Sequence, residues 1–404
     1  MSRAENALIP FSILLVLAGC SGGGGMQPPP PVAPPTIAVA VTPPTINAMS
    51  GTAIQFKAVV TGTANTDVTW SIAEGNTGGS ISSTGLYVAP TAQGLFHVRA
   101  TSVVDGTTMG VAGVTVGTPL PPKGTLWAIW GSGPKDVWAV GDSVTYHWDG
   151  TAWAAAFIPS RYGPFADHVF SVWGSGPNDV WQAGESLSVE FKHWQGTSWT
   201  DFPPNDVVNV FGLWGSGPND VWGVGATAAS AVFHWDGSSW TFQFLHPTSG
   251  ASYFMQNAWG SSANDVWVVG GGDDSGKGLR AASAFHWNGT SWTQNLTGLN
   301  TPLLGIWGSA SNDVWSVGEG GLIAHWNGIS WTSVASGTTQ DLFNIWGSSA
   351  SDVWAVGAGG TVLHWDGLAW SKISTGTTNT FRGVWGSGPN DIWAVGDQVI
   401  LHLP

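Results

Sequence analysis

Cysteine occurs once in this 404-residue chain, at Cys20. A single thiol excludes an intrachain disulfide and a thiolate metal cluster. Charge is scarce too: 9% of residues are charged, and 11 Lys and Arg stand against 25 Asp and Glu, for a formal net charge of -14. So few basic side chains argue against nucleic acid, whose phosphates are held mainly by clustered Lys and Arg, and against electrostatic attachment to anionic lipid. After the first twenty residues every apolar run is soon broken by Gly, Asp or Pro, which leaves no stretch long enough to span a bilayer as a helix. The chain also lacks a nucleophile elbow and a phosphate loop. Its Gly-rich segment 271–278 has no helix after it to hold phosphate.

The abundant residues are 28 Trp, 58 Gly and 24 Pro, within a chain that is 43% apolar and 12% aromatic. That is enough apolar material for sizeable cores, and the Gly and Pro favour short strands and many turns. The expected class is all-β, in more than one domain.

Residues 1–19 read as an export signal, with Arg3, an apolar stretch at 8–17 and small residues at the end. Leu17-Ala18-Gly19-Cys20 resembles a bacterial lipobox, which implies an acylated Cys20 as the membrane anchor; the alternative is a chance or buried Cys. Ser21, in place of an Asp, then implies the outer membrane. Residues 20–36, with Gly22 to Gly25 and Pro28 to Pro31, form a tether. Segments 54–59, 68–72, 96–100 and 111–116 alternate as strands within an expected Ig-like β-sandwich at 37–117, with Trp70 in its core. Val68-Thr69-Trp70-Ser71 followed by Gly79 to Tyr87 resembles the bacterial group 2-like Ig domains of surface proteins, which serve as spacers. A Pro-rich linker covers 118–123.

From residue 124 to 404 one phrase recurs. Trp-Gly-Ser begins at Trp130, Trp173, Trp214, Trp259, Trp307, Trp346 and Trp385, in steps of 39 to 48 residues. A period near forty in strand-rich sequence predicts propeller blades, here a seven-bladed β-propeller. Each unit carries four strand candidates, in the sixth at 342–347, 352–357, 361–365 and 369–373. The second, Asp-Val-Trp-Ala-Val-Gly, is apolar on both faces, as a strand buried between neighbouring sheets would be. Asp149-Gly150 and its equivalents at Asp236, Asn288, Asn327 and Asp366 predict two-residue hairpin turns. Only six fourth strands can be counted. Either the last blade has three strands, or residues 118–124 supply its outer strand.

Asp136 and His147 recur in every unit. Seven such pairs could make metal or acid–base sites; alternatively each Asp caps a loop and each His bonds a neighbouring strand, since a ring keeps equivalent His residues apart. Tryptophan is equally regular: 26 of 28 fill four repeat positions, all but Trp70 and Trp127. Each buried indole removes roughly 150 to 250 Å² from water, about 4 to 6 kcal/mol gross. The repeated Trp are therefore core, and ligand-stacking ones belong off the repeat. The repeat resembles tectonin-type propeller units, which implies carbohydrate recognition, although Trp-Gly-Ser and His-Trp-Asp-Gly depart from that family's wording. The same phrase resembles that of bacterial surface lipoproteins.

The units differ most in three places: 154–170 (Arg161, Tyr162, Phe165, His168), 241–257 (Phe244, His246, Tyr253, Phe254) and 271–284 (Asp273, Asp274, Lys277, Arg280). These connections leave an up-and-down blade on one face, over blades one to four, and scaffolded loops commonly carry function; neutral insertion is the alternative. The expected protein is a monomeric, non-catalytic envelope lipoprotein without cofactor or metal, binding carbohydrate or protein. A scaffold of an outer-membrane assembly is the second reading. A glycan-active hydrolase is the third, because Trp148-Asp149-Gly150-Thr151-Ala152-Trp153 echoes part of a sialidase-type motif.

Overall fold

The computed structural model describes residues 36–48, 53–116 and 124–403, except 91, 93, 157–167, 186–190, 203–208, 227–229, 246–251, 275–278 and 296. The expected signal, Cys20, the tether and the 118–123 linker lie outside the described residues. No helix among those described is long and apolar enough to cross a membrane.

The N-terminal unit comprises nine strands: β1 (Ala38–Thr42), β2 (Thr45–Ala48), β3 (Ala53–Gln55), β4 (Lys57–Thr61), β5 (Val68–Ile72), β6 (Ser80–Ile81), β7 (Leu86–Val88), β8 (Gly94–Ser102) and β9 (Met109–Val116). β1 pairs with β4, and a second sheet runs β2-β9-β8-β5. Phe56, Tyr87, Val98 and Val114 are buried in the shared core, while Trp70 packs against it only half-buried. The single strand expected at 54–59 is broken at Phe56. β4 stays within the N-terminal unit, whereas β3 leaves it and pairs in parallel with the last strand of the chain, Ala53 opposite Leu401 and Ile54 opposite His402.

Six repeats are four-stranded antiparallel sheets in sequence order, starting with Leu126–Gly133, Asp136–Gly141, Val144–Trp148 and Trp153–Ala155. The seventh has Phe381–Gly388, Asp391–Gly396 and Val399–Leu403, then β3, β7 and β6, six strands in all. Its expected outer strand at 118–124 is not what completes it. The edge of Val399–Leu403 is already occupied by β3, and of 118–124 only Gly124 is described.

The wording of the repeat follows from its packing. A methyl on Gly174 would sit 2.6 Å from the Trp130 ring, and the same approach recurs to Gly131, 2.6 Å from Trp385, so the series closes on itself. Only glycine admits the neighbouring indole there. In every repeat the Asp accepts a hydrogen bond from the Ser of Trp-Gly-Ser, or of its equivalent position, as in Ser132 to Asp136. Its other oxygen meets the His Nε2 at 2.5 to 2.7 Å. The His ring stacks on the second-strand Trp, with centroids 3.8 to 4.4 Å apart. Burial pushes the carboxyls of Asp136, Asp179, Asp220, Asp265 and Asp391 up, but bonds from His and Ser outweigh it and hold them below the usual range.

The third hairpin differs from expectation. Trp148 pairs with Trp153, so four residues turn rather than two, closed by Asp149 N–H to Ala152 C=O at 3.3 Å. Only Gly150 has positive φ, +88°, and the Asp149 carboxylate accepts the amides of Thr151 and Ala152, each at 2.8 Å. The side chain supplies what a second left-handed residue would otherwise have to.

Candidate functional site

Each first strand bulges at the same place. In repeat one Leu126 pairs with Gly141 and Ala128 with Val140, leaving Trp127 without a partner across the ladder. The same residue is skipped at Phe170, Phe211, Gln256, Leu304, Phe343 and Arg382. A bulge takes one side chain out of the alternation of faces and re-aims it. All seven are half-buried and line one cavity of about 370 Å³ at the axis that the first strands surround.

The ring is not uniform. Arg382 lies between two aromatic faces, its guanidinium carbon 4.6 Å from the ring centres of both Trp127 and Phe343. Trp127 meets Phe170 edge-on at 5.4 Å, and Phe170 meets Phe211 at 5.6 Å. An aromatic arc thus runs from repeat six through seven and one to three, with Gln256 and Leu304 opposite it.

Carboxylates hold this arc in place. The Trp127 indole N–H donates to Asp142 at 2.7 Å, and the Thr125 amide donates to the same carboxylate at 3.2 Å. His168 Nδ1 is also 2.7 Å from Asp142, and its ring stacks 6.0 Å from Phe170. Burial pushes the Asp142 carboxyl up, but the bonds from Trp127, His168 and Thr125 outweigh it and keep the group below the usual range. Asp397 accepts from the Thr125 hydroxyl at 3.0 Å and from Arg382 Nε at 3.4 Å. Glu319 and Asp341 line the cavity directly, and Asp341 accepts the Gly320 amide at 2.7 Å. One carboxylate, Asp397, thus pairs with the guanidinium, two line the cavity and a fourth, Asp142, holds Trp127.

Of the residues expected from loop lengths, Arg161, Tyr162, Phe165, His246 and Lys277 lie outside the described residues. His168 stacks behind the lining residue Phe170 and bonds to Asp142. Phe254 is exposed on the strand that carries Gln256, and Phe244 is exposed at the end of an outer strand against Phe242. Tyr253, Asp273, Asp274 and Arg280 belong to strands: Tyr253 pairs with Gly272, and Asp273 with Arg280. The long connection expected at 271–284 is thus mostly extended ladder, Asp265–Asp274 against Leu279–Trp287. The throat itself was missed because it varies in residue type and not in length. Its signal was the position three before each repeated Trp, which reads Trp, Phe, Phe, Gln, Leu, Phe, Arg between a position that is always apolar and one that is always Ala, Ser, Gly or Asn.

The Asp and His pairs do not combine. Each is closed off by its own Ser and Trp, and among the described residues no group of three or more His, Cys, Asp or Glu could hold a metal. The Asp partners are chiefly a Ser hydroxyl and a His ring, joined by the Trp indole N–H at Asp220 and Asp352; the expected capping of backbone amides is seen at Asp179, which accepts from the Ser175 amide.

No protein-family model matches the chain, and no curated protein matches it. Solved structures do. YCF48 bound to D1 peptide is 18% identical, with a TM-score of 0.55 over 70% of this chain and 91% of that one. YCF48 from Cyanidioschyzon merolae is 17% identical, with a TM-score of 0.56 over 70% and 97%. The WD40 β-propeller domain of Doa1 is 13% identical, with a TM-score of 0.55 over 69% and 91%. The chain carries a β-propeller. At these identities the likeness concerns fold alone.

Proposed function

We propose that this is a non-catalytic protein-binding propeller that takes a segment of its partner into the mouth of the axial channel. The observation that carries the reading is the ring of seven bulged residues: the backbone repeats, the side chains do not, and they converge on one cavity. Uniform positions build the propeller, so the variable ones at a shared cavity are where a ligand is specified. The structural neighbour bound to D1 peptide supports a protein ligand for this architecture. In the fuller reading the propeller has seven blades, residues 37–117 are an Ig-like spacer, and acylated Cys20 anchors a monomer in the outer membrane.

Panning phage-displayed peptides on the full chain, in parallel with Phe170→Ala/Phe211→Ala, tests this. Clones enriched on the parent and lost on the variant are expected; no enrichment on the parent would sink the reading. Carbohydrate is kept as a second reading because the half-exposed rings of Trp127 and Phe170 could stack on a pyranose. A glycan array in which signal disappears with the same variant would favour it.

A further inference from the structure

Resting on that reading, we infer that the channel mouth selects a basic side chain, arginine or lysine, projecting from the bound protein segment. The charges are the first ground. Asp341 and Glu319 line the cavity, Asp142 and Asp397 accept hydrogen bonds from its lining residues Trp127 and Arg382, and Arg382 is the single cation among the lining residues. Over the whole chain the formal charge is -14, so the field that guides an approaching segment has the same sign as the mouth.

The walls are the second ground. An aromatic face attracts a cation through its quadrupole, and the throat already holds one guanidinium in this way, between Trp127 and Phe343. Phe170 and Phe211 continue the arc; the His168 ring stacks on one face of Phe170, and among the described residues no Lys or Arg lies over either ring. Gln256 follows Phe211 in the ring and lines the same cavity. An incoming guanidinium would find π-faces, an amide acceptor and carboxylates within one cavity, while Asp397 offsets repulsion from Arg382. A segment with an acidic centre would meet the same carboxylates and be repelled.

A free polyamine has the right charge but would leave the exposed Phe254, two residues before Gln256 on its strand, without use. A peptide would cover it. That apolar rim favours a side chain presented by a protein segment.

The test is a fixed-length peptide array in which only the central residue changes, read with the full chain. Arg and Lys centres should bind about tenfold tighter than Glu, and binding should weaken with added salt. The preference should shrink at least about threefold in Asp341→Asn/Glu319→Gln, two changes at partly exposed positions that retain the size of each side chain. If the double variant loses its near-UV circular dichroism, the parent's salt titration decides. Mouth-dependent binding that shows no basic preference, or an acidic one, overturns this inference and leaves the protein-binding reading standing. Absence of binding at every centre overturns both. Spermidine binding as tightly as the Arg peptides overturns the choice of a protein segment.

Discussion

At the seam between repeats two and three, Trp181 stacks on His193 at 3.9 Å and is clamped by two indoles from the next repeat, Trp235 at 5.3 Å and Trp240 at 5.4 Å. At the seam between repeats six and seven, Trp354 stacks on His364 in the same way, at 4.2 Å. Among the described residues no indole from repeat seven packs on it; that repeat's third strand ends in Leu403 and its fourth is β3. Ala53, Leu86 and Leu403 take the place of the clamp, in one cluster with Trp354, Val356 and Phe381. One seam is built from the repeat, and the other from a segment some three hundred residues upstream in sequence. The N-terminal unit is therefore part of the propeller's core, and β3 also covers a strand edge that would be free to pair with another chain.

The largest effect should come from removing that unit. A fragment of residues 124–404 would expose Trp354, Leu401 and Leu403 beside an unpaired strand edge. It should form oligomers on size-exclusion chromatography and lose its cooperative melt, where the full chain keeps one. A monomeric fragment with the melting temperature of the full chain would break the comparison, because the foreign strand would then contribute nothing.

Next come the two kinds of seam tryptophan. Trp267, 1% exposed, is clamped by Trp326 and Trp331 and stacked on His286. Trp267→Ala leaves a cavity walled by rigid rings and should cost about 3 to 5 kcal/mol. Trp354→Ala is bordered by smaller aliphatic side chains that can move in, and its cost should fall at the lower end of that range. Urea midpoints of the two variants measure the difference. Gly215→Ala, whose new methyl would lie 2.6 Å from Trp173, should cost about 1 to 3 kcal/mol by overpacking.

The same contrast explains what could be read from the sequence. Trp-Gly-Ser and Asp-Val-Trp repeat because every ordinary seam needs the same indoles and the same glycine, so strand order and sheet count follow from counting phrases. Nothing local marks Ala53-Ile54-Gln55 as a propeller strand. It alternates like its neighbours, and only the shortage of fourth strands hinted that one came from elsewhere. The throat was hidden differently. A period-2 reading assigns Trp127 or Phe170 to a strand face, and the bulge that turns it to the axis adds one residue without changing loop length. Trp127 was recognisable as off the repeat, but its six counterparts were not.

The smallest effect concerns charge within the ordinary seam. The Asp265 carboxyl is held below its usual range by His286 and Ser261 against the opposing pull of burial. A carboxyl lowered on folding adds stability above its unfolded value, about 3.9, and that stability disappears as pH falls through the folded value. Asp265→Asn keeps the shape but cannot accept from both partners at once. It should be less stable than the parent at pH 7, and the gap should narrow by pH 3, where the parent carboxyl begins to protonate. The β3 pairing is made by backbone groups that do not titrate, so acid should reach that join only through His402, on the strand it covers, and its partner Asp391. Urea midpoints at both pH values read this out, and a gap that stays constant would mean the Asp acts through shape alone.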